Sequence, residues 1–336
     1  MSKLTSDAII LAGKGEDLKV LLIKRKHPPF ENHWAFPGGF LNDGEDPMEG
    51  CERELEEETS LDLAGSPWIP LSRRENEGRD PRGMTITYPF LLWQSKTFPV
   101  HGQDDATLAR WVKLLEIEEL AFDHGAILCE ALSRFWPGMP SFHPSLANIT
   151  LPSLLLKKLA KQEEMIFFGG SFNPWHQGHS ACLDLCLEAF PEKMITIIPD
   201  YSPWKKESAK GQGCSWKSFM TLCRSLADRP CPIYPGFWGK ETPNPTVSWL
   251  PQSSYVHKSF LMGDDTFATI GEWDQSAVVI RSLESVYVVP RCASSEAVEK
   301  VKDSISKINP HLKIIILPRH DYQDVSSTGI RLLSKP

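Results

Sequence analysis

Residues 39–61 read GFLNDGEDPMEGCERELEEETSL. Pro47 suits the first turn of a helix spanning 47–59, and Leu55 supplies its apolar anchor. On that helix Glu54, Glu57 and Glu58 stand at i, i+3 and i+4, so they project from one face. Three carboxylates on one face repel one another unless something positive sits among them. Hard divalent cations take such oxygen ligands, and bound there they would neutralise a pyrophosphate and activate a water for in-line attack. Arg53 can hold a carboxylate by a bidentate pair, and Gly38-Gly39 lets the backbone approach the metal closely. Gly39, Glu54, Glu57 and Glu58 are therefore the candidate metal ligands, with the three glutamates also catalytic. A solvated acidic helix face has the same residue types, but the wider spacing of this stretch argues against it.

Working outward, residues 6–13 and 18–25 read as paired strands around the turn GKGED, and 33–37 as a short strand. Segments 66–73, 84–95 and 108–114 read as further strands, with helices at 116–120 and 123–135. Residues 136–152 carry Pro137, Pro140, Pro144 and Pro152 with little periodicity, which marks a linker. Ser153 can cap a connecting helix, SLLLKKLAKQEE. The pattern then changes to strand 165–168, a Gly-rich turn, helix 178–190 and strand 194–199, an order that implies a parallel sheet. Strands near 255–262, 285–289 and 313–317 alternate with helices near 215–227 and 294–308. The expected organisation is an α+β domain over 1–138, a linker over 139–162 and an α/β domain over 163–336. At 336 residues the chain has room for two domains, each with its own core.

The fixed positions Gly39, Glu45, Arg53, Glu54, Leu55, Glu57, Glu58 and Leu61 resemble the Nudix hydrolase box. Ser60 departs from the family glycine. If that position is left-handed, Ser costs on the order of 1 kcal/mol there. GRDPRG (78–83) and LAFDHGAIL (120–128) resemble Nudix proteins that handle ADP-ribose, both the pyrophosphatases and the sensor domains of NAD-pathway repressors. The resemblance implies ADP-ribose binding by Arg79 and Arg82, Mg²⁺ (or Mn²⁺) as cofactor, and a general base among Asp104, Asp105 and Glu119. A Nudix half that only senses its ligand, or one that cuts another dinucleotide such as NAD(H), are the alternatives.

Residues 169–179 read GGSFNPWHQGH, between a strand and a helix. A helix N-terminus offers free N–H groups and partial positive charge, which suits phosphate. Gly169 and Gly170, with Ser171 and Phe172, allow the backbone to approach a nucleotide. His176 and His179 can face the same phosphates and donate hydrogen bonds as leaving-group charge builds. Near the C-terminus, SSTGIR presents Ser326, Ser327 and Thr328 at another helix start, with Arg331 one turn on.

Together with IPDYSPWK (198–205), MGDDTFATIGEW (262–273) and VVPR (288–291), these motifs follow the order seen in nicotinate/nicotinamide mononucleotide adenylyltransferases, a resemblance covering about residues 165–333. It implies a Rossmann-like nucleotidyltransferase that joins ATP to the mononucleotide. By position, Lys205 would lie near the phosphates, and Asp264, Trp273 and Arg291 near the mononucleotide. The Lys205 segment departs from the family's Pro-Pro-His-Lys, which touches selectivity between nicotinate and nicotinamide.

Net charge is -7, from 36 Lys and Arg against 43 Asp and Glu, so the whole-chain field favours no nucleic acid and DNA is not an expected partner. No apolar run approaches the roughly 18 residues of a membrane span, and the N-terminus reads as a strand, not a signal peptide. Eight scattered cysteines without a CxxC pair suit reduced thiols in a cytoplasm. His176, His179, Cys182 and Cys186 span too many helical turns to converge on one zinc ion. ATP, the mononucleotide and ADP-ribose are the expected partners, and a homo-oligomer is left open.

Overall fold

The alternating apolar residues of the first hundred positions fold into a mixed sheet, and the strand–helix–strand run of the second half into a parallel one. The computed structural model describes residues 3–103, 106–156, 164–200, 215–240, 242–327 and 329–330. In the N-terminal half, β1 (Lys3–Ala12), β2 (Lys19–Arg25), β3 (Trp34–Ala35) and β4 (Gly38–Phe40) precede α1 (Pro47–Thr59). After it come β5 (Ile69–Pro70), β6 (Thr85–Gln94), β7 (Ala106–Lys113) and α2 (His124–Ser133). The sheet runs β3-β2-β1-β6-β5, with β4 pairing β1 and β7 pairing β2. β1 and β6 are parallel from Lys3 opposite Thr85 to Ala12 opposite Gln94. Ala8–Ala12 are fully buried, which explains why that stretch of β1 is uniformly apolar.

Asp46 starts α1, its Oδ1 accepting the Met48 N–H at 2.8 Å, with Pro47 in the first turn. Cys51 and Leu55 bury one face against Ala8, Ile10 and Leu21. That burial contributes about 1.5–3 kcal/mol for Leu55 alone, and it turns the glutamates of the same helix towards β4.

The C-terminal half contains β8 (Glu164–Gly170), α3 (Gln177–Ala189), β9 (Ile195–Pro199), α4 (Trp216–Ser225) and β10 (His257–Gly263). α5 (Asp264–Phe267), α6 (Ser276–Arg281), β11 (Ser285–Val289), α7 (Ser295–Ile308) and β12 (Lys313–Ile316) complete it. All strand pairs are parallel, in the order β12-β11-β10-β8-β9. The chain direction of growth reverses between β8 and β10. In such sheets the crevice beyond the strands' C-terminal ends at this reversal is where ligands bind.

Several expectations are corrected. The strand expected over 66–73 is only Ile69–Pro70, because Pro70 cannot extend the ladder. The helix expected over 116–120 is a single 3₁₀ turn at Leu114–Glu116. Residues 153–155 form a turn, and 157–163 of the expected connecting helix lie outside the described residues. Buried clusters around Leu55 and around Ala121 stay within the N-terminal half, yet the two halves also share a core. One buried cluster joins Leu22, Leu128 and Leu132 to Ile166, Ile197, Trp216 and Leu222.

The junction is specific. Trp216, at the start of α4, is buried against α2 and donates its indole N–H to the Ile117 carbonyl at 2.9 Å. A Cβ on Gly125 would lie 2.6 Å from the Trp216 backbone nitrogen, so only glycine admits this approach. Gly125→Ala is therefore expected to lower stability by about 1–3 kcal/mol through overpacking. Urea denaturation checks this, and an unchanged midpoint would show that the contact is not tight.

Candidate functional site

Two separate sites follow from this scaffold. The first is a pocket of about 220 Å³ between β1, β4, α1 and the 79–82 loop, lined by Glu54, Glu57, Glu58, Gly38 and Gly39 among others. Arg53 is its organising cation. Its Nε and Nη2 reach the two Glu45 oxygens at 2.8 and 2.9 Å, while Nη1 reaches Glu54 at 2.8 Å and Glu57 at 3.1 Å. Hydrogen bonding to Arg53 holds the Glu45 carboxyl down to about 2. Glu54 is pushed up instead, because its burial outweighs the pull of Arg53 and the charge of Glu57 adds to the push. Glu58 is buried and accepts the Gly38 N–H at 2.9 Å. A Cβ on Gly39 would lie 2.4 Å from the Glu54 carboxyl, which shows how closely the strand backbone approaches these groups.

The donor set fits a hard divalent cation, since every candidate ligand is an oxygen. Among the described residues, however, no three His, Cys, Asp or Glu side chains converge as metal ligands do. Arg53 balances the charge of Glu54 and Glu57, so a cation would have to take over that role.

Opposite the glutamates, Arg79 forms a bidentate pair with Asp123 at 2.8 and 3.2 Å, and Arg82 one with Asp80. The Arg82 guanidinium also lies over the Phe40 ring at 4.9 Å and the Phe122 ring at 5.7 Å. Both arginines line the pocket. At its floor, buried His124 accepts the Phe36 N–H on Nδ1 at 3.0 Å, which places its proton on Nε2, 3.5 Å from Asp7 Oδ1. Burial lowers the His124 pKa, so the ring is neutral. Thr87 donates to the other Asp7 oxygen at 2.5 Å. Sequence reading missed Asp7, Phe40, Asp80, Phe122 and His124. Asp80, Phe122 and His124 lie inside the two motifs quoted for ADP-ribose handling, which was a usable signal; Asp7 looks like any strand polar residue. Of the candidate bases, Glu119 is exposed and does not line the pocket, and Asp104 and Asp105 lie outside the described residues.

The second site sits at the reversal between β8 and β10. His176 caps α3, and its ring stacks on His179 with centroids 3.6 Å apart. The Nδ1 atoms of both are buried without a hydrogen-bond partner. Such atoms are costly unless a ligand satisfies them. A Cβ on Gly178 would press on the His176 ring at 3.1 Å, so the glycine between the histidines gives that ring its room. Phe172, with φ 45°, backs the His179 ring at 4.9 Å. A Cβ on Gly169 would meet nothing within 4 Å, leaving open space above the strand end. Burial, with His176 and Arg291 nearby, drives the His179 pKa down to about 3, and that of His176 is lowered by the same burial.

Ser327 donates to the Pro174 carbonyl at 3.0 Å, bringing the C-terminal motif onto the Gly-rich loop. Ser326 accepts the Gly329 N–H at 3.1 Å and starts the helical turn. Arg291 donates to the Val325 carbonyl at 3.0 Å and so ties this motif to the end of β11. Asp264 is buried and accepts the Cys292 N–H at 3.1 Å. Trp273 is half-buried against Phe260. The structure thus brings His176, His179, Arg291, Ser326 and Ser327 together. Ser171 stands exposed at the loop. Lys205, Thr328 and Arg331 lie outside the described residues.

Comparison with known proteins divides the chain in the same way. Residues 1–131 match the NUDIX domain and residues 167–333 the cytidylyltransferase-like family. An ADP-ribose pyrophosphatase of Methanocaldococcus jannaschii is 39% identical over 34% of this chain and 65% of its own. The chain thus spans just under two thirds of that relative. A probable nicotinate-nucleotide adenylyltransferase of Helicobacter pylori is 35% identical over 39% of this chain and 77% of its own. Among solved structures, a bifunctional NMN adenylyltransferase/ADP ribose pyrophosphatase from Francisella tularensis is 26% identical with a TM-score of 0.35, covering 39% of this chain and 41% of that one.

Two outcomes follow from the geometry. Ser60 ends α1 at φ 58°, ψ 25°, the left-handed region. Ser60→Gly should raise stability by about 1 kcal/mol, read as a shift in the denaturation midpoint; a loss would mean that the Gln103 bond to the Ser60 hydroxyl, 2.8 Å long, matters more. The lowered His179 pKa has a definite sign. The unfolded chain binds a proton near 6.5 that the folded site refuses until about 3. Stability is therefore complete above about pH 6.5 and falls as pH drops towards 3. In His179→Gln that slope should be shallower between pH values of about 5 and 7; equal slopes would contradict the assignment.

Proposed function

Because the chain belongs to the nicotinate-nucleotide adenylyltransferase family in its C-terminal half and carries a Nudix domain ahead of it, we propose that it is a bifunctional enzyme of pyridine-dinucleotide metabolism. The C-terminal half joins ATP to nicotinate or nicotinamide mononucleotide and releases pyrophosphate. The N-terminal half hydrolyses ADP-ribose to AMP and ribose 5-phosphate with Mg²⁺. The observation that carries this reading is the His176–His179 pair, stacked at the strand-order reversal with both Nδ1 atoms unpartnered.

In the transferase half, the mononucleotide phosphate attacks the α-phosphate of ATP in line, and the bond to the β-phosphate breaks. His176, His179 and the first N–H groups of α3 hold the triphosphate and stabilise charge on the departing pyrophosphate. The neutral rings donate hydrogen bonds without competing for a proton. Asp264, Trp273 and Arg291 complete the mononucleotide side, and Lys205, Ser326, Thr328 and Arg331 the phosphate side. Catalysis rests on positioning and charge neutralisation, with no covalent enzyme intermediate.

In the Nudix half, Gly39, Glu54, Glu57 and Glu58 would hold the cation, which when bound neutralises the pyrophosphate and activates a water. Arg53 keeps the glutamates in register, while Arg79 and Arg82 orient the substrate across the pocket. A second reading, in which this half binds ADP-ribose without cutting it, is favoured by the hold of Arg53 on Glu54 and Glu57.

Pure protein with ATP, Mg²⁺ and either mononucleotide is expected to form a dinucleotide, read by chromatography. Folded protein that yields none would sink the transferase assignment. His179→Ala should lower kcat/KM for synthesis by about 10²–10³. Glu57→Gln should cut ADP-ribose hydrolysis by about 100-fold and leave synthesis intact. No hydrolysis by the unaltered protein would select the sensing alternative.

A further inference from the structure

A second cavity, of about 330 Å³, lies between the two halves. The N-terminal half contributes Arg74, Glu130 and Arg134, and the C-terminal half Phe237, Lys240 and Trp249. The residues assigned above to the two reactions do not line it. From the mononucleotide side it is walled off by an aromatic row, with Trp249 on Phe260 at 6.2 Å and Phe260 on Trp273 at 5.9 Å.

Its charges lean positive: Arg74, Arg134 and Lys240 face the carboxylates of Glu130 and Asp200. Arg74, with 5% of its side chain exposed, pairs with Glu130 at 2.7 Å, and Arg134 reaches the same carboxylate at 3.5 Å. Two guanidinium groups thus share one carboxylate, and the Nε atoms of both are buried without a partner. Buried donors of this kind are rare and costly. Lys240 adds a third cation, donating to Asn244 Oδ1 at 3.0 Å and lying 5.6 Å from the centre of the Phe237 ring, while the Asn244 amide donates in turn to the Asp200 carboxylate at 3.4 Å. Arg73 also lines the cavity but turns its guanidinium to Glu75 at 2.7 Å. Burial holds the Lys240 ammonium below its ordinary pKa although the Asp200 and Glu130 carboxylates pull the other way, so a further anion beside it would add stabilisation of the charge. The volume falls within the range of small-molecule sites, about 300–1,000 Å³.

We propose that this inter-domain cavity binds a nucleoside monophosphate, its phosphate among Arg74, Arg134 and Lys240 and its base against Phe237 and Trp249. Since each half supplies part of the site, occupancy ties the two halves together and stabilises both. The inference does not depend on either catalytic assignment.

Isothermal titration of the whole chain in chelator, with AMP, adenosine, ribose 5-phosphate and inorganic phosphate as probes, tests it. AMP should bind at least tenfold more tightly than adenosine, which lacks the phosphate, and than the two probes lacking the base. Lys240→Glu and Arg134→Gln should each weaken that site at least tenfold, Lys240→Arg should retain it, and Arg82→Glu in the Nudix pocket should leave it unchanged. AMP binding lost in Arg82→Glu but untouched by Lys240→Glu would overturn the proposal, as would no AMP binding at all. Phosphate binding as tightly as AMP would overturn the nucleoside part. If Lys240→Glu fails to fold, as judged by circular dichroism, Lys240→Met and Arg134→Gln decide.

Discussion

The approach of Trp216 to Gly125 is the contact on which the arrangement of the two halves depends. An indole fully buried at a helix start, with its N–H satisfied by the Ile117 carbonyl, leaves α4 little freedom to slide on α2. One apolar cluster then spans both sheets, and the cavity at the seam acquires walls from both halves. A chain that reads as two beads on a linker is in this respect a single packed body, because the glycine removes the atom that would hold the helices apart.

Both reactive pockets handle negative charge, and they do so in opposite ways. The Nudix pocket concentrates carboxylates on a helix face and restrains them with one guanidinium, Arg53. That face is built of oxygen donors, the set a hard divalent cation takes, while Arg79 and Arg82 line the other side of the pocket. The transferase crevice concentrates donors instead: two neutral imidazoles, a helix N-terminus and a nearby arginine. The depressed His179 pKa is the electrostatic counterpart of that design, since the ring is buried and stacked at 3.6 Å on a second imidazole. Glycines at 39 and 178 serve both sites in the same way: each lets the backbone come close to a neighbouring functional group, the Glu54 carboxyl in one case and the His176 ring in the other.

Much of this was legible because the chemistry is local. Glu54, Glu57 and Glu58 share a helix turn, and His176 and His179 share another, so helical periodicity alone places each group on one face. Arg79 and Arg82 were marked by the resemblance of GRDPRG to Nudix proteins that handle ADP-ribose, not by spacing. Asp7 was not, for it enters the pocket only through the pairing of β1 with β4 and β6, contacts separated by tens of residues. The 116–120 helix and the long 66–73 strand failed for a related reason: local propensity there is weak, and Pro70 together with the packing of the following loop decided the outcome.

By itself, then, the sequence determined the two fold types, the order of the halves and which groups share a helix face in each, because short-range spacing on helices and strand ends encodes them. Only the tertiary structure decided that Arg53 binds two of the three glutamates and that His124 and Asp7 form the pocket floor. Only it decided that Arg291 anchors the Ser326 turn and that the halves share a core with a basic cavity at their seam. Those relations join residues far apart in the chain, and their energies depend on burial and distance, which no local pattern of residue types records.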